Sequence, residues 1–176
     1  MPQLQAKAAQ ATENDLLAQL LGISSDSPLA KVRSQRADIT RYIQGSYDAL
    51  LAPADPAGVS LVERGLIALR VATLTGSHLL VEHYRDYLRQ LGESVTTIAA
   101  VESIPVAVVL SPRLAALIKH TDLLTRQPAS ASSDQIVELR AQGLGAREIV
   151  TIAQLISFLS FQVRTSAALQ VLQEVA

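Results

Sequence analysis

The chain has 176 residues, enough for one domain with a sizeable core, and 49% of them are apolar. Fifteen basic residues stand against sixteen acidic ones, a net charge of −1 with no basic run, which argues against a nucleic-acid binder. There is no cysteine, which removes disulfides, thiolate catalysis and every Cys-ligated metal site, and with four Tyr, two Phe and no Trp the core must be aliphatic.

The opening MPQLQAKAAQ lacks an apolar signal core, so a cytoplasmic protein is expected. A short helix is predicted after Thr12, with its hydroxyl as cap, running through Asp15 to Leu21 and ending at Gly22. Ser27-Pro28 opens a longer helix to about Leu51, with proline in the first turn. APADPAGVS, Ala52 to Ser60, reads as a loop. Ser60-Leu-Val-Glu63 is a capping box, and its helix carries Ile67, Ala68, Val71 and Leu74 as one apolar stripe before Gly76. Another helix is predicted from Ser77 to Leu91, stopping at Gly92. Glu93 to Ser103 reads as helix. VAVVL, Val106 to Leu110, is β-branched, but no second strand is available to pair with it.

Ser111-Pro112 opens a helix through Leu124. RQPASASS, Arg126 to Ser133, is a polar loop ending in a cap, followed by a helix from Asp134 to Gln142. The last helix runs from about Gly145 to Val175, with a break expected near Ser160. Its most apolar window, Ile149 to Val163, is expected to be too short to span a bilayer. A weak repeat relates Ser60-x-x-Glu63, Ile67-Ala68, Val71 and Leu74 to Gly145-x-x-Glu148, Ile152-Ala153, Ile156 and Leu159.

The segment SLVERGLIALRVATLTGSHLLVEHYRDYLRQLG, Ser60 to Gly92, resembles the carboxymuconolactone decarboxylase and alkylhydroperoxidase-D-like superfamily, chiefly in LRVATLTGS followed by VEHY. Ser111 to Arg164 is similar to the C-terminal half of its peroxidase-related branch. The resemblance implies an all-α, alkylhydroperoxidase-D-like helical fold over 1-176, as N-terminal helices (1-59), a motif-bearing hairpin (60-92) and a C-terminal helical half (111-176). It also implies a homo-oligomer, a trimer, dimer or hexamer. A mean hydropathy of +0.26 agrees with apolar surface buried between subunits.

Active members carry Glu, then Cys-x-x-Cys, then His. The second Cys attacks the peroxide, the first resolves it, and Glu and His relay protons. Through LRVATLTG these positions fall on Gly65, Ser77, Leu80 and Tyr84, and all four depart. His83 remains, where many relatives have the first of two histidines. Glu63 stands two residues early, on another helix face. The resemblance is therefore to a cysteine-less branch, expected to have no thiol peroxidase activity.

Two roles follow as expectations. One is a subunit that binds a small molecule or pairs with a cysteine-bearing relative. The other is acid–base chemistry on a small acidic substrate, with His83 as proton carrier, Tyr84 as hydrogen-bond donor and Ser77 beside them. Ser77 is first of all an N-cap for its helix. His78 and Glu82 share a helix face and could contact a ligand, but no third metal ligand is in view, so no metal and no cofactor are expected. Arg70 beside the apolar stripe either pairs with a carboxylate or anchors an acidic ligand. His120 and Asp122 are expected to fix the fold. Neither nucleic acid nor membrane is an expected partner.

Overall fold

The computed structural model describes residues 15–106 and 110–175, and among these there is no strand. Thr12 and the middle of VAVVL lie outside the described residues. The all-α expectation holds. The chain divides into two compact units, one of residues up to Ala49 with Arg164 onward, the other Leu50–Val163.

In the first unit, α1 (Leu16–Leu21) is capped by Asp15, whose carboxylate accepts from the Ala18 N–H at 3.2 Å. Asp15 is also tied to Arg33 at 2.8 Å. The single long helix expected after Ser27 is broken into α2 (Pro28–Ser34) and α3 (Ala37–Leu51). At the break the Gln35 and Arg36 amides bond three residues back, to Val32 and Arg33, and the Ser34 hydroxyl donates to the Lys31 carbonyl. That short-range bonding closes the first helix before the second begins.

The second unit is built around α4 (Leu61–Leu74), opened by the expected capping box of Ser60 and Glu63. The single apolar stripe expected on α4 understates its environment. Every residue from Arg64 to Ala72 is buried, because α4 packs against α5 (His78–Gln90), α6 (Val95–Glu102) and α7 (Pro112–Arg126). After a 3₁₀ turn, α8 (Ser133–Ala141) is opened by a second capping box, of Ser132 and Gln135.

The last helix, α9 (Ala146–Val175), shows no break at Ser160. The Ser160 hydroxyl donates to the Ile156 carbonyl at 2.9 Å and leaves the helix continuous. By length and composition alone the whole of α9, a longer stretch than the Ile149 to Val163 window, is long and apolar enough to cross a membrane. Its Ile152, Leu155, Ile156 and Leu159 are nonetheless buried in the core of the second unit.

The repeat has a structural counterpart. Glu63 and Glu148 both stand in the first turn of their helices. Glu63 reaches Ser60, whereas the Glu148 carboxylate lies over two glycines. A Cβ at Gly58 would fall 2.5 Å from Glu148 Oε1, and one at Gly145 would fall 2.8 Å from Oε2.

Candidate functional site at the corner between α4 and α5

The corner forms because α4 closes on a glycine. Gly76 has φ +70°, and the Ser77 amide reaches back to the Ala72 carbonyl at 3.0 Å while the Gly76 amide takes that of Thr73 at 3.1 Å. This 6→1 and 5→2 pair needs a left-handed residue between helices, which glycine adopts without Cβ strain. The turn delivers Ser77 to the position before α5.

Ser77 does not cap α5 as expected: its side chain makes no cap hydrogen bond. Its ψ is 88°, whereas the capping serines Ser60, Ser94 and Ser111 have ψ of 158°, 141° and 150°. Leu80, one turn on, is completely buried in the core.

Tyr84 is also fully buried, and its hydroxyl donates to the Gln162 side-chain oxygen on α9. His83 packs edge-on to the Tyr84 ring, with centroids 4.8 Å apart. Burial lowers the His83 pKa, opposed by nearby Asp86, so the imidazole is held on the neutral side. His78 and Glu82 are exposed, and no ion pair joins them. Among the described residues no three His, Cys, Asp or Glu side chains form a group that could hold a metal.

Arg70 does not reach into this corner. Its Nε and Nη2 donate to the two Asp122 carboxylate oxygens at 2.6 and 2.7 Å. Its Nη1 donates to the Val101 and Ser103 carbonyls at 2.8 and 2.7 Å. Of the two roles open to Arg70, carboxylate pairing is the one present, and a guanidinium so occupied has no fork left for an acidic ligand. Asp122 thus fixes the fold as expected. His120 is buried, its Nδ1 has no hydrogen-bond partner among the described residues, and burial lowers its pKa.

Three buried or half-buried groups escaped the sequence reading. Arg64, 2% exposed, donates to the carbonyls of Val59, Leu50 and Pro56 at 2.9, 2.7 and 2.8 Å and so pins the loop before α4. Arg113 binds Glu63 at 2.6 Å and the Gly58 carbonyl at 2.7 Å. Tyr87 donates to the Leu51 carbonyl at 2.6 Å, and its ring fills the space beside Gly65. A Cβ at Gly65 would lie 2.8 Å from Leu88 Cδ2 and 3.0 Å from Tyr87 Cε1. No local pattern marks these residues, because their partners are backbone carbonyls or distant helices.

The titrating groups give an acid-lability prediction. His83 and His120 both lie below their ordinary 6.5 in the folded chain, so below that pH the unfolded chain binds protons that the native chain refuses. Burial raises the Glu63 pKa, but the Arg113 and Ser60 hydrogen bonds outweigh it and hold the carboxyl below 4.5. Its stabilising contribution is present above that value and is lost on further acidification. Urea midpoints are expected to fall in two stages, the first beginning near pH 6.5 and flattened in a His83→Gln, His120→Gln double variant. A midpoint constant down to about pH 5 would contradict this.

A buried and a half-buried helix, joined by a glycine corner and flanked by further helices, make an all-α protein without cysteine, and solved structures of the alkylhydroperoxidase-D-like fold are similar to it. Three of these structures show how far the likeness of fold extends. One is an uncharacterized peroxidase-related protein from Silicibacter sp. TM1040, at 20% identity and a TM-score of 0.71, covering 78% of this chain and 71% of that one. A second, described as an alkylhydroperoxidase AhpD core and an uncharacterized peroxidase-related protein, comes from Ralstonia eutropha JMP134; it gives 18% identity and a TM-score of 0.70, with coverage of 78% and 71%. The third is a protein of unknown function from Agrobacterium tumefaciens, described as a candidate AhpD antioxidant defence protein, at 20% identity and 0.68, with coverage of 78% and 91%. No protein-family model matches the sequence, and no curated protein matches it.

Proposed function

We propose that this chain is a non-catalytic member of the alkylhydroperoxidase-D-like fold, one that binds a small molecule or pairs with a cysteine-bearing relative. The observation that carries this reading is the closure of the corner. Leu80 and Tyr84 are buried as core, and Tyr87 and Leu88 fill the volume beside Gly65. A serine hydroxyl cannot cycle through sulfenate as a thiolate does, so no thiol-based peroxide-reducing centre can be assembled here. The test is reduction of tert-butyl hydroperoxide by the purified protein with a dithiol reductant. The rate is expected to equal the protein-free rate, and a protein-dependent excess would overturn the reading. Native mass spectrometry of the same sample then separates its two arms, as a retained small mass or a co-purified relative.

A second reading rests on His83 and Ser77. Burial keeps the imidazole neutral, fit to accept a proton, and the Ser77 hydroxyl is not committed to a cap. Such a site would do acid–base chemistry on a small organic substrate. It requires any turnover found in the pure protein to disappear in His83→Ala while the fold persists.

A further inference from the structure

The first unit holds a cleft of about 330 Å³ between the end of α1 and the last turns of α9. Leu20 and Leu21, both half-buried, form its apolar wall. Gln170, Gln173 and Glu174 form its polar wall. Their spacing of three and four sets these side chains on one face of α9, so they converge on the same space. One hydrogen bond joins the two walls: Gln173 Nε2 donates to the Leu21 carbonyl at 3.2 Å. That bond uses the donor end of the amide and leaves its oxygen as an acceptor. The side chains of Gln170 and Glu174 make no hydrogen bond or ion pair among the described residues.

The charge around the cleft has one sign. Helix α1 ends at its edge, closed by Gly22 at φ +61°. The last carbonyls of a helix carry a partial negative charge, which a Lys, Arg or His in the last turn commonly offsets. The last turn of α1 has no basic residue, and no Lys, Arg or His lines the cleft. Glu174 adds a full negative charge to the same space. The space therefore offers a carboxylate and amide oxygens on one side and two leucines on the other. That combination suits a small cation carrying a short carbon chain. An anion of the same length meets the carboxylate and has no charged donor to offset it.

We propose that this cleft binds a small primary amine in its protonated form, with the ammonium on Glu174 and the amide oxygens and the carbon chain on Leu20 and Leu21. The site stands apart from the α4–α5 corner. Its failure would leave the absence of peroxide reduction untouched, and the reverse holds as well.

The probe is n-butylammonium chloride, titrated at fixed ionic strength into protein with isotope-labelled leucine methyls. The Leu20 and Leu21 methyl resonances are expected to shift and saturate with a Kd of about 1 mM. Butanoate, equal in length and opposite in charge, is expected not to shift them. Methylammonium, which lacks the chain, is expected to bind about tenfold more weakly. Glu174→Gln is expected to weaken butylammonium by about five-fold. Glu174 is exposed, so this variant removes the charge without disturbing a packed side chain, and circular dichroism verifies the fold. Leu21→Ala is expected to erase most of the preference for butylammonium over methylammonium. Shifts that fail to saturate by about 50 mM overturn the proposal. So does butanoate binding as well as the amine, or an affinity unchanged in Glu174→Gln.

Discussion

Replacing Arg70 with methionine is expected to cost about 3–5 kcal/mol, from a total that for domains of this kind is only ~5–15 kcal/mol. The guanidinium is 2% exposed and ties three helices: α4, which carries it, α7 through Asp122, and the end of α6 through the Val101 and Ser103 carbonyls. Removing it takes the donor from a part-exposed carboxylate and from two carbonyl acceptors at once, and the buried Val101 carbonyl left unpaired costs more than its bond was worth. Tm should fall by roughly 6–20 °C. Arg70→Lys should recover only part of the loss, since a point ammonium cannot span both carboxylate oxygens and both carbonyls. The double change Arg70→Met, Asp122→Leu should be milder than Arg70→Met alone, because it removes the stranded charge. Chemical denaturation of the four proteins checks this. A single variant within about 1 kcal/mol of wild type would mean that the ion pair is a surface ornament despite its burial.

How far the sequence reveals this molecule depends on where each signal resides. Helix starts were legible because they are local. Ser60 with Glu63, Ser27-Pro28 and Ser111-Pro112 state their caps within four residues, and the structure has all three. Helix ends at Gly76 and Gly92 were legible for the same reason. What failed was local chemistry overridden by geometry. Ser77 has the right residue type for a cap, yet its hydroxyl makes no cap hydrogen bond. The continuous helix read after Ser27 breaks because two amides bond three residues back, a choice that no residue type announces. The single stripe on α4 was misread because a helix enclosed on all sides buries Arg64 and Arg70 along with its apolar residues. Arg70 announced that it needed a partner but not which one. Asp122 lies 52 residues away, and only the packing of α4 on α7 brings the two together.

Thiols placed at the corner should expose how thoroughly it is closed. Ser77→Cys is half-buried at the helix start and is expected to react readily with a thiol reagent such as dithionitrobenzoate. Leu80→Cys lies in a completely buried position. Its labelling should be slower by on the order of 100-fold, the factor set by a local opening that costs ~2.7 kcal/mol. Equal rates in the native state would show that the corner opens freely, and would restore the case for a working pocket. Gly65 sharpens the point. A helix-interior Gly→Ala exchange ordinarily gains ~1 kcal/mol. Here the new Cβ would sit 2.8 Å from Leu88 Cδ2 and 3.0 Å from the Tyr87 ring. Tyr87 is held by its bond to the Leu51 carbonyl, and Leu88 is fully buried, so neither yields cheaply. Overpacking of ~1–3 kcal/mol should outweigh the propensity gain and make Gly65→Ala destabilising, and Gly65→Glu more so. If Tyr87 is the obstacle, Tyr87→Ala should lessen the penalty of Gly65→Ala in a double-mutant cycle. Additivity would instead place the clash on Leu88. In either case a larger side chain at position 65 has no room while Tyr87 and Leu88 keep their present packing. The corner is thus closed twice, by crowding at Gly65 and by the burial of Leu80 and Tyr84.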